Sequence, residues 1–162
     1  MEPSKGLFKS IYMQQPVTFY QLQNDDQTDI NQVISNIVFK AFKNNRKVYI
    51  LCPDQDYCLQ LDEYFINYHQ SAFFPFQLYG DGPIPPAPIC LGFATSTNLK
   101  YDILINLHSW IPADFKKYRE IIELVPCKSE LRALTREHYK HYKKFQCHIT
   151  FNELTEISTS SI

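Results

Sequence analysis

KVYILC, residues 47–52, followed at once by PDQDYCLQLDEYF, residues 53–65, decides how this chain folds. After Lys47 the first run is apolar throughout, without the alternation of a strand that keeps one face in water, so it reads as a strand buried on both faces. Pro53-Asp54 then opens a helix, in which Tyr57, Cys58, Leu61, Tyr64 and Phe65 recur at helical spacing. The same pair of elements stands upstream. Val17–Leu22, VTFYQL, is rich in β-branched and aromatic residues, and Asp29–Asn44 carries Ile30, Val33, Ile34, Ile37, Val38, Ala41 and Phe42 at i, i+3, i+4 spacing. Asp29 with Gln32 forms a capping-box pattern, and Asn44-Asn45 can end that helix in a left-handed residue. Strand, helix, strand, helix implies a mostly parallel sheet with right-handed crossovers and flanking helices, a single Rossmann-like α/β domain.

Downstream the pattern is interrupted. Five prolines and three glycines fall between Phe73 and Gly92, which predicts irregular backbone, with Gly80-Asp81-Gly82 as a turn. Phe73, Phe74 and Phe76 around Pro75 form an aromatic cluster, and two readings of it stay open: a lid on the core or an apolar docking patch. Ile89–Phe93, Ile103–Leu107 and Ile121–Val125 are strand candidates, with a short helix over Pro112–Tyr118. Residues 1–15 read as a loose arm, 16–154 as the domain and 155–162 as a frayed, Ser/Thr-rich tail.

The segment from Ser129 to Phe145, SELRALTREHYKHYKKF, reads as one helix with Ser129 as N-cap and two distinct faces. Leu131, Leu134, His138, Tyr142 and Phe145 fall on an arc that docks the helix, while Arg132, Arg136, Tyr139, Lys140 and Lys143 fall on an arc that faces water. Five Lys or Arg against two Glu leave this segment at +3, so the rest of the chain, whose total is −1, carries −4. Most charged helix faces are merely solvated. Tyr139 among the cations adds a reason to bind a ligand that is partly anionic and partly apolar.

Several classes of function are disfavoured. With 162 residues, 44% of them hydrophobic and 20% charged, the chain has the composition of one globular domain, and its net charge of −1 is unlike that of a protein that coats itself in nucleic-acid phosphates. The five cysteines are scattered and lack a CxxC pair, which suggests a reducing cytoplasm. His138, His141 and Cys147-His148 lie near one another in sequence, but Lys140 and Lys143 beside them argue against a metal. No run is long enough to span a membrane, and the first residues lack the apolar core of a signal peptide. The first strand is followed by QNDDQTD, with no glycine and with Asp25, Asp26 and Asp29, which repel rather than cradle a phosphate, so no nucleotide cofactor is expected. Asp54 is explained by helix capping. His108, Ser109 and Asp114 supply the residue types of a hydrolase triad without a nucleophile elbow, and no catalytic constellation is expected.

Taken together, VTFYQL, KVYILCPDQDYCLQLDEYF, FFPFQLYGDGP, YDILINL and ELVPCKSELRALTREHYKHYKKF resemble the chi subunit family of bacterial DNA polymerase III holoenzyme, over about residues 18–151. The resemblance implies a Rossmann-like domain without nucleotide or enzymatic activity, acting as an adaptor in the clamp-loader assembly. It implies two partners, the psi subunit and the C-terminal tail of single-stranded DNA-binding protein, with DNA contacted only indirectly. That tail is acidic and ends in an apolar residue with a free carboxylate. Carried onto this sequence, tail binding falls to Val125, Arg132, Arg136, Tyr139, Lys140 and Lys143, and psi binding to Phe65, Phe73, Phe74 and Pro75. Members of the family usually begin almost directly with the first strand, which makes Met13 a natural alternative start. The competing readings are a nucleotide-binding enzyme of Rossmann-like fold and a direct single-stranded nucleic-acid binder.

Overall fold

Seven parallel strands form one sheet in the computed structural model, which describes residues 14–67, 73–82 and 86–153. In chain order the elements are β1 (Pro16–Gln21), α1 (Gln27–Lys43), β2 (Val48–Leu51), α2 (Gln55–Asn67), β3 (Phe76–Leu78), β4 (Ile89–Gly92), β5 (Ile103–Asn106), β6 (Glu120–Val125), α3 (Ala133–Lys144) and β7 (His148–Glu153). They are ordered β3-β4-β2-β5-β6-β1-β7 across the sheet, and every neighbouring pair is parallel. The fold is the expected Rossmann-like α/β architecture.

The stretch that decides the fold sits inside the sheet. β2 lies between β4 and β5 with all four residues buried, as its unbroken apolar run requires. Side chains on successive residues point to opposite faces, so β2 feeds two cores. Val48 and Ile50 join Ile34, Val38, Cys58 and Leu61 beneath α1 and α2, whereas Tyr49 and Leu51 join Phe19, Leu104, Ile121 and Tyr142 beneath α3.

Several boundaries shift for identifiable reasons. Helix α1 starts before Asp29, because Asp26 is extended (φ −67, ψ 130) and its carboxylate accepts the Thr28 amide at 2.9 Å. Asp29 therefore sits in the first turn, where its charge favours the helix dipole. At the other end Asn45 takes φ 58, the left-handed residue expected there. Asp54 accepts the Tyr57 amide at 2.8 Å, so its role is capping. Gly80 and Gly82 adopt φ 92 and 84 and form the expected turn; Pro83 and Pro85 lie outside the described residues.

Two strands, β3 and β7, sit where none was expected. β3 is three residues long inside the proline-dense stretch, and β7 is a largely exposed edge strand with a weak apolar pattern. The helix expected over Pro112–Tyr118 is a 3-10 turn at Phe115–Lys117. Gln15, read as part of a loose arm, is tied to the domain through its amide nitrogen, which donates to the carbonyls of Phe115 (2.8 Å) and Tyr118 (2.6 Å). Residues 1–13 of the arm and the tail 155–162 lie outside the described residues.

Candidate protein-docking surface

The basic segment is two elements rather than one helix. Ser129–Leu131 is a 3-10 turn, Arg132 breaks the run, and α3 begins at Ala133, so Ser129 is not its N-cap. The break is held by Arg132, whose Nε donates to Pro126 O (2.7 Å) and whose Nη2 donates to Cys127 O (2.8 Å). This guanidinium thus supports the loop after β6 with two of its five N–H donors. Leu131 and Leu134, expected to dock, are 52% and 46% exposed. The buried positions of α3 are His138 and Tyr142.

His138 and Tyr142, both expected on the docking arc, enter the interior through a polar cluster. Glu123, in the middle of β6, accepts from His138 Nδ1 (2.9 Å), Asn106 Nδ2 (2.9 Å) and the Tyr142 hydroxyl (2.6 Å). His138 Nε2 meets the Ser109 carbonyl at 2.8 Å. An acceptor at each ring nitrogen favours the doubly protonated form of His138. Burial pushes His138 down, but the hydrogen bond and charge of Glu123 and the Ser109 carbonyl outweigh it and raise its pKa above the ordinary value. The Tyr142 phenol is pushed up by burial and by Glu123.

The outer flank of α3 presents Arg136, Lys140 and Lys143, all exposed. Arg136 forms no salt bridge among the described residues, and Lys140 meets Glu137 only at 3.8 Å with both side chains largely in water. Tyr139, expected to face water with these cations, is half-buried. Its ring packs on Phe19 (6.4 Å between centroids) and Phe151 (5.9 Å), and Lys143 Nζ lies 5.8 Å from its centroid. Val125 is buried at the end of β6, with its carbonyl accepting the Leu22 amide at 2.9 Å, so it is a wall beneath α3 and not an exposed contact. Sequence reasoning missed Phe151, which is 63% exposed and stacks on Phe19 at 5.2 Å beside Tyr139.

At the far side of the sheet the aromatic patch divides. Phe65 and Phe74 are buried, and Phe65 meets Phe74 and Phe76 at 5.0 and 5.3 Å. Of the two readings left open for this cluster, Phe65 and Phe74 take the position of a lid on the core. Neighbouring helix positions are about 100° apart, so burying Phe65 turns Ile66 outward, where it is 61% exposed. Phe73 is 72% exposed and Pro75 is half-buried. Phe73→Ala is therefore expected to change folding stability by no more than about 0.5 kcal/mol in urea denaturation, the behaviour of a surface side chain.

The C-terminal edge of the sheet, where doubly wound folds hold nucleotides, is differently furnished here. After β1 the Asp25 carboxylate accepts the amides of Cys127 (2.7 Å) and Lys128 (3.2 Å), so an acid fills a position where a phosphate loop would present amides to its ligand. Among the described residues no group of His, Cys, Asp or Glu has the arrangement to hold a metal, and no helix is long and apolar enough to cross a membrane.

Comparison with known proteins gives consistent matches. A family model described as DNA polymerase III chi subunit, HolC, matches residues 13–150. The DNA polymerase III subunit chi of Escherichia coli (strain K12) is 32% identical over 132 residues, covering 78% of this chain and 89% of that protein. The proteins of the same name from Haemophilus influenzae and Pseudomonas aeruginosa are 28% and 27% identical, covering 81% and 79% of this chain and 92% and 89% of their own lengths.

Proposed function

Because the chain belongs to the DNA polymerase III chi subunit family, we propose that it links the clamp-loader assembly, through psi, to the C-terminal tail of single-stranded DNA-binding protein. It is a replication protein, an accessory subunit of the holoenzyme rather than a catalytic one. The observation that carries the adaptor reading is the exposed cationic flank of α3, in which Arg136 has no salt-bridge partner among the described residues and lies one turn from the Tyr139–Phe151 aromatic pair. An acidic peptide with an apolar terminal residue matches both features: the cations attract the acids, and the rings offer apolar surface. Psi is assigned to the exposed part of the opposite patch, Phe73 and Pro75 with Ile66, while Phe65 and Phe74 support it from beneath.

The test is a set of separate titrations with the tail peptide, single-stranded DNA and common nucleotides. Binding of the peptide is expected. A saturable thermal stabilisation by a nucleotide would favour the enzyme reading, since any ligand selective for the native state raises its stability. DNA binding with a steep salt slope would favour direct nucleic-acid recognition. Phe73→Ala is expected to weaken psi while leaving the peptide unaffected.

A further inference from the structure

β7 closes one side of the sheet, and its outer edge has no strand against it among the described residues. Its pairing to β1 fixes which backbone groups face outward. The His148 amide donates to Gln15 O at 2.9 Å, so in a parallel ladder His148, Thr150 and Asn152 direct their N–H and C=O groups toward β1. The N–H and C=O groups of Ile149, Phe151 and Glu153 point the other way. This edge, HITFNE, contains neither the proline nor the lysine that commonly blunts an exposed edge, and it bears Phe151.

The edge runs beside the basic flank. Phe151 shares a sheet face with Phe19, and Tyr139 of α3 packs against both. The chain returns through α3 from the C-terminal end of β6 and then re-enters β7 beside the start of β1, so α3 runs opposite to β7. Arg136 therefore lies one turn from Tyr139 toward the Glu153 end, and Lys143 one turn toward the His148 end.

We propose that the acidic tail binds by adding an eighth, parallel strand to the outer edge of β7, with its carboxylates against Arg136, Lys140 and Lys143. This inference rests on the tail-binding reading and specifies its geometry. Spacing supports it: Arg136 and Lys140 are separated by about 6 Å along the helix axis, and alternate side chains of a strand by about 6.6 Å. Acids two residues apart on one face of the added strand thus meet successive cations. Direction follows from the ends. With its terminal carboxylate at Arg136, near the Glu153 end, and the preceding acids at Lys140 and Lys143, the peptide runs the same way as β7. Backbone pairing supplies affinity and the flanking side chains supply specificity, as in other strand-addition complexes.

Two measurements on the full chain test this, using the C-terminal decapeptide of single-stranded DNA-binding protein from the same cell. Amide exchange followed by NMR is expected to show Ile149, Phe151 and Glu153 exchanging freely in the free protein and slowing on binding, with His148, Thr150 and Asn152 protected throughout. Peptides N-methylated at alternate residues are expected to divide into two sets, one losing more than about tenfold in affinity and the other nearly unchanged. Equal tolerance of both sets, with the edge amides unaltered, overturns strand addition while the tail reading stands. Protection of the edge amides in the free protein also overturns it. Such protection identifies a second copy if dilution abolishes it, and a terminal segment of the same chain if it does not. Failure of the unmethylated peptide to bind rejects the adaptor reading, and strand addition with it.

Discussion

Glu123→Ala is expected to destabilise the domain by about 3–5 kcal/mol in denaturant unfolding, the cost of breaking a buried ion pair from one side. The side chains of Glu123 and His138 are each 7% exposed, and the carboxylate is the shared acceptor for His138, Asn106 and Tyr142. Its removal leaves His138 Nδ1 and the Tyr142 hydroxyl without a partner, takes one of the two acceptors of Asn106 Nδ2, and strips a protonated His138 of its counter-charge. Leaving buried neutral donors unsatisfied costs about 1–3 kcal/mol each, so the size of the effect alone does not distinguish a charged cluster from a neutral one. The pH profile supplies a second readout. His138 has a folded pKa raised above its unfolded value of about 6.5, so its contribution is fully present below that pH and is lost as pH rises through the folded pKa. Glu123→Gln is expected to flatten that decline. A stability curve of the same shape for wild type and Glu123→Gln would show that His138 is neutral in the fold.

This cluster also marks where the sequence stops being legible. The fold class rests on elements with strong periodicity, and β1, α1, β2 and α2 all form where the apolar spacing places them, within a few residues. β3 and β7 were hidden for different reasons: one is three residues long in a proline-dense stretch, and the other is an edge strand with few positions to bury. In the basic helix the docking arc holds at His138 and Tyr142, which are buried, and fails at Leu131 and Leu134, which precede or open α3 and remain exposed. A signal was present in EIIELV, where Glu123 interrupts a buried strand and requires a partner; His138 and Tyr142, one turn apart, supply it. Phe65 illustrates a similar limit. Its spacing from Cys58 and Leu61 places it on the buried side of α2, whereas the family resemblance grouped it with Phe73. Arg132 could not be separated from Arg136 by composition, since both are arginines on one arc. Only the carbonyls of Pro126 and Cys127 show that the first also braces a loop, while among the described residues the second does not.

Arg136 is exposed, with no salt bridge among the described residues, and Arg136→Ala is expected to weaken the tail peptide by about 2–5 kcal/mol, the range for truncating one partner of a desolvated charge pair. A guanidinium can grip a terminal carboxylate with two parallel hydrogen bonds, whereas Lys140 and Lys143 act as point charges on exposed stems. Lys143→Ala is therefore expected to change mainly the salt dependence and on-rate. The carboxylate contact is isolated by a double-mutant cycle in calorimetry that combines Arg136→Ala with C-terminal amidation of the peptide. Amidation is expected to weaken binding to wild type strongly and to Arg136→Ala hardly further, because each change removes the same interaction. Folding stability of Arg136→Ala is expected to stay within about 0.5 kcal/mol of wild type, as befits an exposed residue without an ion pair among the described residues, so lost affinity cannot be attributed to unfolding. Wild-type binding that is indifferent to amidation would reject Arg136 as the carboxylate anchor, even with the basic flank still attracting the acidic residues.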